Sequence, residues 1–268
     1  MNVLEISNLS IHHRNQKIIH SLDLAIEKGD WMAVAGESGS GKTVMAASIG
    51  RLLPSELTIT AGTILLNSLN LLTIKENNLR PLLGKEISYI FQDYKGAFTP
   101  FLTIGKQFNE MLKAHTGDSK KVRNERVYEA LRLVGLPEER VYASYPFQLS
   151  GGQLQRAAIA MAMILEPTLL IADEPTTALD SLTAASVLKL IEKMQRKTNC
   201  AVLFITHDLR HAKKYANKIA IMHNGTIVES GLKTALFHRP EHPYTKSLLS
   251  AIPKLKSSHQ ERLMTADS

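Results

Sequence analysis

Eight consecutive residues, Gly36-Glu37-Ser38-Gly39-Ser40-Gly41-Lys42-Thr43, carry the most readable chemistry in this chain. They fit the pattern G-x-x-x-x-G-K-[ST]. The glycines let the backbone turn so that successive N–H groups converge on a polyphosphate. Lys42 supplies a charge that reaches the outer phosphates, and the Thr43 hydroxyl is a ligand for Mg²⁺. The alternative is an ordinary Gly/Ser turn before a helix. Context decides between them: the apolar run Trp31-Met32-Ala33-Val34-Ala35 reads as a buried strand, and residues 44–53 read as a helix. Strand, glycine-rich loop and helix is the setting that phosphate binding requires, with the positive end of the helix dipole facing the anion.

A second group of acids complements the first. Asp173-Glu174 follows the apolar run Leu169-Leu170-Ile171-Ala172. In a parallel sheet that end of a strand opens onto the ligand crevice. Asp173 is placed to share a Mg²⁺ with Thr43, and Glu174 to orient and deprotonate an attacking water. A third group, Leu149-Ser150-Gly151-Gly152-Gln153, opens a helix with Ser150 as its N-cap. Its free N–H groups form a second anion site on the same chain.

The elements that must position these groups follow from periodicity. Alternating residues before position 27 read as strands Val3–Ile6 and Ile18–Ile26, joined by a turn at Arg14-Asn15-Gln16-Lys17. Further strands are expected at Ala61–Asn67, Glu86–Phe91, Thr168–Ala172 and Ala201–Ile205, and Asn224-Gly225 signals a hairpin. Helical spacing covers Thr103–Lys113, Lys120–Val134 and Leu182–Lys197, with Gly135-Leu136-Pro137 breaking the second. The expected fold is α/β: a mixed sheet with flanking helices, an N-terminal antiparallel β layer and a helical insertion over about residues 100–165. Residues 1–253 form one domain in this reading, and 254–268 a polar tail.

Composition bounds the class. With 268 residues, 44% hydrophobic and 21% charged, the chain has the makeup of a soluble globular protein. Its longest apolar run, residues 157–165, is far short of the roughly 20 residues that cross a bilayer. The N-terminus lacks the basic and apolar segments of a signal peptide, so a cytosolic location is expected. The single cysteine, Cys200, reads as a buried structural thiol. A net charge of +7 is compatible with nucleic acid, with anionic lipid, or with a solvated surface of mild basic excess. The basic residues are dispersed and no aromatics interleave them, which disfavours nucleic acid.

Leu149 to Gln153 followed by Leu154-Gln155-Arg156 resembles the signature motif of ATP-binding cassette (ABC) ATPases, and the likeness runs over about residues 3–253. The resemblance implies a P-loop NTPase core that binds ATP and Mg²⁺. It also implies that Ser150, Gly151, Gly152 and Gln153 clamp the γ-phosphate of ATP held by another subunit. By the same resemblance Gln92 contacts Mg²⁺ and the attacking water and senses the membrane partner. Ala178-Leu179-Asp180 crosses the dimer interface, and His207 is the switch histidine. The adenine-stacking aromatic of the family corresponds to His13 here, with His12 beside it; an imidazole stacks more weakly.

Two stretches resemble the oligopeptide/dipeptide/nickel importer group: Phe91 to Pro100, and His242 to Pro253 with its C-terminal segment from about residue 231. In the second, the prolines and aromatic point to a fixed, non-helical lead-in. The group implies a second ATPase subunit, identical or paralogous, two membrane permease subunits and an extracellular solute-binding protein, at the cytoplasmic face of the membrane. Peptide-type members often carry a longer, cysteine-bearing C-terminal extension; this sequence has no cysteine there, which tilts the expectation towards nickel or a metal chelate. The competing class is a soluble cassette ATPase of nucleic-acid repair or translation.

Overall fold

The computed structural model describes residues 1–177 and 179–251. Two sheets organise it. The first has the order β2-β1-β4-β5 and is antiparallel throughout, built from β1 (Asn2–His13), β2 (Gln16–Glu27), β4 (Leu57–Leu66) and β5 (Leu69–Asn70). Along β2 the residues alternate, Leu22, Leu24 and Ile26 buried against exposed Ser21, Asp23 and Ala25, because one face of this sheet meets solvent.

The second sheet has the order β10-β9-β3-β8-β7-β6. Its strands are β3 (Trp31–Ala35), β6 (Ile87–Ile90), β7 (Leu169–Asp173), β8 (Ala201–Thr206), β9 (Lys218–His223) and β10 (Thr226–Leu232). The pairings from β6 through β7, β8 and β3 to β9 are parallel; only β10 runs against its neighbour. Strands β3, β7 and β8 are buried at every residue, which is why each reads as an unbroken apolar run.

The two-residue period of these strands divides the core. Met32, Val34, Leu169, Ile171, Leu203 and Ile205 face the antiparallel sheet together with α1 (Lys42–Ile49). Ala33, Ala35, Leu170, Ala172, Val202 and Phe204 face the other way. That second face is covered by α6 (Gly151–Met163), α7 (Ser181–Thr198) and α8 (Leu209–Tyr215). Between β6 and β7 the chain is helical, running through α3 (Ile104–His115), α4 (Lys120–Leu133), α5 (Glu138–Ala143), a 3-10 turn (Pro146–Gln148) and α6. Thr103 and Ser119 cap α3 and α4, and Gly135 at φ 70 terminates α4 as its sequence demands.

The remaining helices are short: α2 (Glu76–Leu79), α9 (Lys233–His238) and α10 (Pro243–Ser250). Here the expectation of a non-helical lead-in is corrected. Pro243 is the first residue of α10, where a missing N–H is harmless and a fixed φ suits the helix. Boundaries also differ, as at β4, which begins at Leu57 rather than Ala61. Helix α1 ends at Ile49, before Pro54, because Gly50 caps it and Arg51 adopts φ 54. Strand β1 continues to His13, leaving only Arg14 and Asn15 as the turn. The polar tail from Lys254 lies outside the described residues.

A polar cluster pins the start of β3 to the start of β9. Asp30 accepts from Lys218 Nζ at 2.8 Å, from Asn217 Nδ2 at 2.8 Å and from the Glu27 N–H at 2.9 Å. Lys218 also pairs with Glu27. Burial pushes the Asp30 carboxyl up, but the bonds from Lys218, Asn217 and Glu27 outweigh it and hold the group below its ordinary value. A depressed carboxylate stabilises the fold above its ordinary pKa and loses that contribution as pH falls through the lower, folded value. Asp30→Asn is therefore expected to reduce the unfolding free energy at neutral pH by about 1–3 kcal/mol. Part of the acid sensitivity should go with it, as measured by denaturant titrations across acid pH.

Candidate active site

The loop at residues 36–41 leaves the C-terminal end of β3 and enters α1 directly. Gly41 occupies the N-cap position at φ 104, a left-handed conformation that a side chain would strain. At Gly36 a Cβ would stand 2.1 Å from the Met222 carbonyl oxygen, so the loop lies hard against β9. The β9–β10 turn supports it from behind, where the Gly225 N–H donates to the Ser40 carbonyl at 3.0 Å. Lys42 is buried, and its Nζ donates to the carbonyls of Gly36 at 2.9 Å and Glu37 at 2.7 Å and to Ser40 Oγ at 3.3 Å. Burial lowers the pKa of this ammonium, against the pull of Glu174, Asp173 and Glu37.

Strand β7 delivers the acids to the same edge. Thr43 Oγ1 donates to Asp173 Oδ1 at 3.2 Å. Asp173 is 8% exposed, and burial raises its pKa, with the Glu174 charge adding to the effect and Thr43 and Lys42 opposing it. In the parallel β7–β8 pair Asp173 faces Ile205, which sets Glu174 beside the end of β8. There the Glu174 N–H donates to the Ile205 carbonyl at 3.0 Å. Glu174 has φ 46, a strained backbone for a residue with a long side chain. Its Oε2 accepts from Thr177 Oγ1 at 2.7 Å and lies 3.3 Å from His207 Nδ1. Burial pushes this carboxyl up, but Thr177, His207 and Lys42 together hold it below its ordinary value. It is thus ionised at neutral pH.

The fold brings Lys42, Thr43, Asp173, Glu174 and His207 together at one strand-end edge. Gln92 is exposed two residues beyond β6, whose Ile90 pairs with Ala172 of β7. Tyr89 anchors that strand end by donating to the Ala46 carbonyl of α1 at 3.1 Å. Ser150, Gly152 and Gln153 line a separate surface cleft with Leu182, Thr183 and Ser186. They form a reciprocal cap: Ser150 Oγ accepts from the Gln153 N–H at 3.3 Å, and Gln153 Oε1 from the Ser150 N–H at 3.0 Å. His13 is the last residue of β1, half-buried at the hairpin tip, opposite Gln16 and Leu57. His12 Nδ1 lies 2.9 Å from Thr60 Oγ1. Asp180 caps α7 through the Leu182 and Thr183 N–H groups, while Ala178 of the same loop lies outside the described residues.

Three contacts escaped the sequence reading. Thr177 bonds Glu174 from three residues on, a turn spacing that was the available signal. Gln155, buried on α6, donates to the Pro175 carbonyl at 2.7 Å and so ties the Ser150 helix to the strand-end acids. Tyr244 Oη accepts from the Glu37 N–H at 3.1 Å, a contact 207 residues apart that no local pattern announces.

The donor set suits Mg²⁺. One hydroxyl and one carboxylate oxygen converge, both hard ligands, and Mg²⁺ keeps its other positions for water and substrate phosphate. Among the described residues no cluster of three or more His, Cys, Asp or Glu could hold a metal by itself.

Comparison with known proteins identifies the family. Residues 19–177 match the ABC transporter family, and residues 228–267 match the oligopeptide/dipeptide transporter C-terminal region. The dipeptide transport ATP-binding protein DppD of Bacillus subtilis is 42% identical, the match covering 94% of this chain and 77% of that protein. The metal-staphylopine import system ATP-binding protein CntD of Staphylococcus aureus is 38% identical over 100% of this chain and 99% of its own length. Among solved structures, the dimeric bacterial ABC transporter cassette MJ0796 superposes with a TM-score of 0.75 at 28% identity, covering 86% of this chain and 98% of that one. A cassette of the same name was solved with ADP and Pi bound. With a lysine-bearing phosphate loop, a strand-end acid pair and these matches along its length, the chain belongs to the ABC transporter family and is an ATPase of it.

Proposed function

We propose that this chain is the ATP-hydrolysing subunit of an importer that takes up peptides or a metal chelate across the cytoplasmic membrane. The observation that carries the proposal is the convergence of Lys42 and Thr43 with Asp173 and Glu174, in a chain whose relatives are named as ATP-binding proteins of dipeptide transport and metal-staphylopine import.

In this reading Lys42 and the N–H groups of the loop at residues 36–43 other than that of Glu37, which is held by Tyr244, bind the β- and γ-phosphates of ATP. Thr43, Asp173 and Gln92 would hold Mg²⁺. Bound there, the ion would neutralise charge on the phosphate oxygens. Glu174 orients a water for in-line attack on the γ-phosphorus and accepts its proton; the bond to the β–γ bridging oxygen breaks, leaving ADP and phosphate. His207 holds the Glu174 carboxylate in place and contacts the γ-phosphate. Ser150 to Gln153 serve the ATP of a second cassette, identical or paralogous, and that cassette reciprocates. His13 takes the place of an adenine-stacking aromatic. ATP thus favours a closed pair of cassettes and hydrolysis releases it, a population shift that drives the attached membrane subunits.

Residues 1–253 act as one ATPase domain in this scheme, with the helical insertion carrying the Ser150 group. Among the described residues no helix is long and apolar enough to cross a membrane. In this reading the chain docks on permease subunits at the inner membrane face, and an extracellular binding protein supplies the solute. Purification of the tagged chain from membranes tests this: two permease subunits are expected with it, and ATP turnover in the preparation. Ribosomes or nucleic acid in their place would overturn the proposal. Uptake of labelled nickel against labelled dipeptide in cells lacking the chain then separates the two solute classes.

A further inference from the structure

Helix α10 reaches the phosphate loop through the hydroxyl of Tyr244. The Glu37 N–H donates to Tyr244 Oη at 3.1 Å. The carbonyl of that same peptide group, on Gly36, accepts from Lys42 Nζ at 2.9 Å. One peptide plane is therefore held at both poles, by Tyr244 on its N–H and by Lys42 on its carbonyl. Rotation of the plane would break both bonds and release one anchor of the buried ammonium.

Tyr244 is itself firmly placed. Its ring stacks on His223 with centroids 3.9 Å apart. His223 ends β9, two residues before Gly225, which bonds the Ser40 carbonyl of the loop. The approach to α10 is fixed from β10: the Glu229 carboxylate accepts from the N–H groups of Glu241 at 2.9 Å and His242 at 3.1 Å. His242 Nδ1 then caps α10 by accepting from the Tyr244 N–H at 3.2 Å. Partial burial raises the phenol pKa, so the group is a neutral hydroxyl at physiological pH. A continuous set of contacts thus runs from β10 through the lead-in to the loop, and Tyr244 is its last member.

On the reading of residues 36–43 as the ATP phosphate loop, we propose that Tyr244 is a positioning residue. It sets the Gly36–Glu37 peptide and, through it, Lys42, so that the C-terminal segment tunes nucleotide affinity from outside the reacting groups. A pulled or displaced α10 would loosen the lysine without touching Asp173 or Glu174.

Tyr244→Phe keeps the ring and its stack on His223 and removes the hydroxyl, and with it the acceptor of the Glu37 N–H. In the full-length chain the dissociation constant for ATP with magnesium, measured by calorimetry, is expected to rise about threefold to tenfold, the scale of one hydrogen bond. The thermal midpoint should be unchanged. In turnover assays the change should appear in KM, with kcat within about twofold of the parent. Glu229→Gln, which loosens the lead-in without altering ring or loop, should shift the dissociation constant the same way and by less. Unchanged ATP affinity in Tyr244→Phe overturns the proposal. So does a lowered thermal midpoint at unchanged affinity, which would make the contact merely structural. The parent chain separates the underlying reading: if it binds no ATP, the loop assignment itself fails and this proposal falls with it.

Discussion

Glu174→Gln is expected to reduce ATP turnover about 10²–10⁴-fold, the usual range for removing a general base, while ATP still binds. The amide keeps the size of the carboxylate, and its oxygen can still accept from Thr177 Oγ1, now at 2.7 Å from Glu174 Oε2. What it loses is the charge that polarises water and the capacity to take a proton. The local structure argues that this side chain is held for a task. Its backbone adopts φ 46, its N–H is tied to the Ile205 carbonyl, and two side chains converge on one carboxylate oxygen. Strain of that kind persists only where surrounding bonds enforce it. Phosphate release in the steady state, beside equilibrium ATP binding, checks the result. Turnover near that of the parent would remove Glu174 from the base role.

Lys42→Met should act on the other quantity. The methionine fills similar volume but leaves the Gly36 and Glu37 carbonyls without the donor they now share. It also removes the ammonium that interacts with Glu174 and Asp173. Hydrogen bonds to a charged group contribute about 1.5–3 kcal/mol each. Loss of one such bond to phosphate weakens ATP binding about tenfold to a hundredfold. Calorimetric titration with ATP and magnesium measures this, and an affinity within about threefold of the parent would show that Lys42 is not a phosphate ligand. The pair of variants separates binding from chemistry, since Glu174→Gln is expected to retain ATP and Lys42→Met to lose it.

The parts of this molecule that were legible in its sequence share one property: their signals are local. Strands β3, β7 and β8 announce themselves as apolar runs because both faces of their sheet are covered. The Asn224-Gly225 hairpin is readable because both residues take positive φ, 45 and 76, which that pair tolerates. Ser150 declares its helix because its hydroxyl caps the third N–H onward. Helices α5, α8 and α9, of six or seven residues, went unread because two turns offer too little periodicity. Helix α10 was misjudged for another reason: a proline reads as a break unless it falls at the first helical position.

At the site the same division holds. The loop, the acid pair and the Ser150 group each lie within a few residues, and their types and order could be read directly. Their mutual geometry depends on strand register, as when Asp173 opposite Ile205 brings Glu174 to His207. Register in a parallel sheet joins segments far apart in the chain. The contacts of Gln155 with Pro175 and of Tyr244 with Glu37 are tertiary in the same sense. Neither residue type nor spacing could have announced them.

The central claim is that the site is composite: the loop of residues 36–43 is completed by the Ser150 group of another cassette. Ser150 is exposed, whereas the single cysteine of the chain, Cys200, is buried and its thiol pKa raised by that burial. A thiol reagent applied to a Ser150→Cys, Glu174→Gln chain therefore reports on position 150. The lost cap costs about 1 kcal/mol of helix stability in every condition and does not affect the comparison. In the complex purified from membranes, labelling at position 150 should slow several-fold when ATP and magnesium are added, because the partner cassette and its nucleotide cover that face. Labelling at the same rate with and without ATP would contradict the composite site.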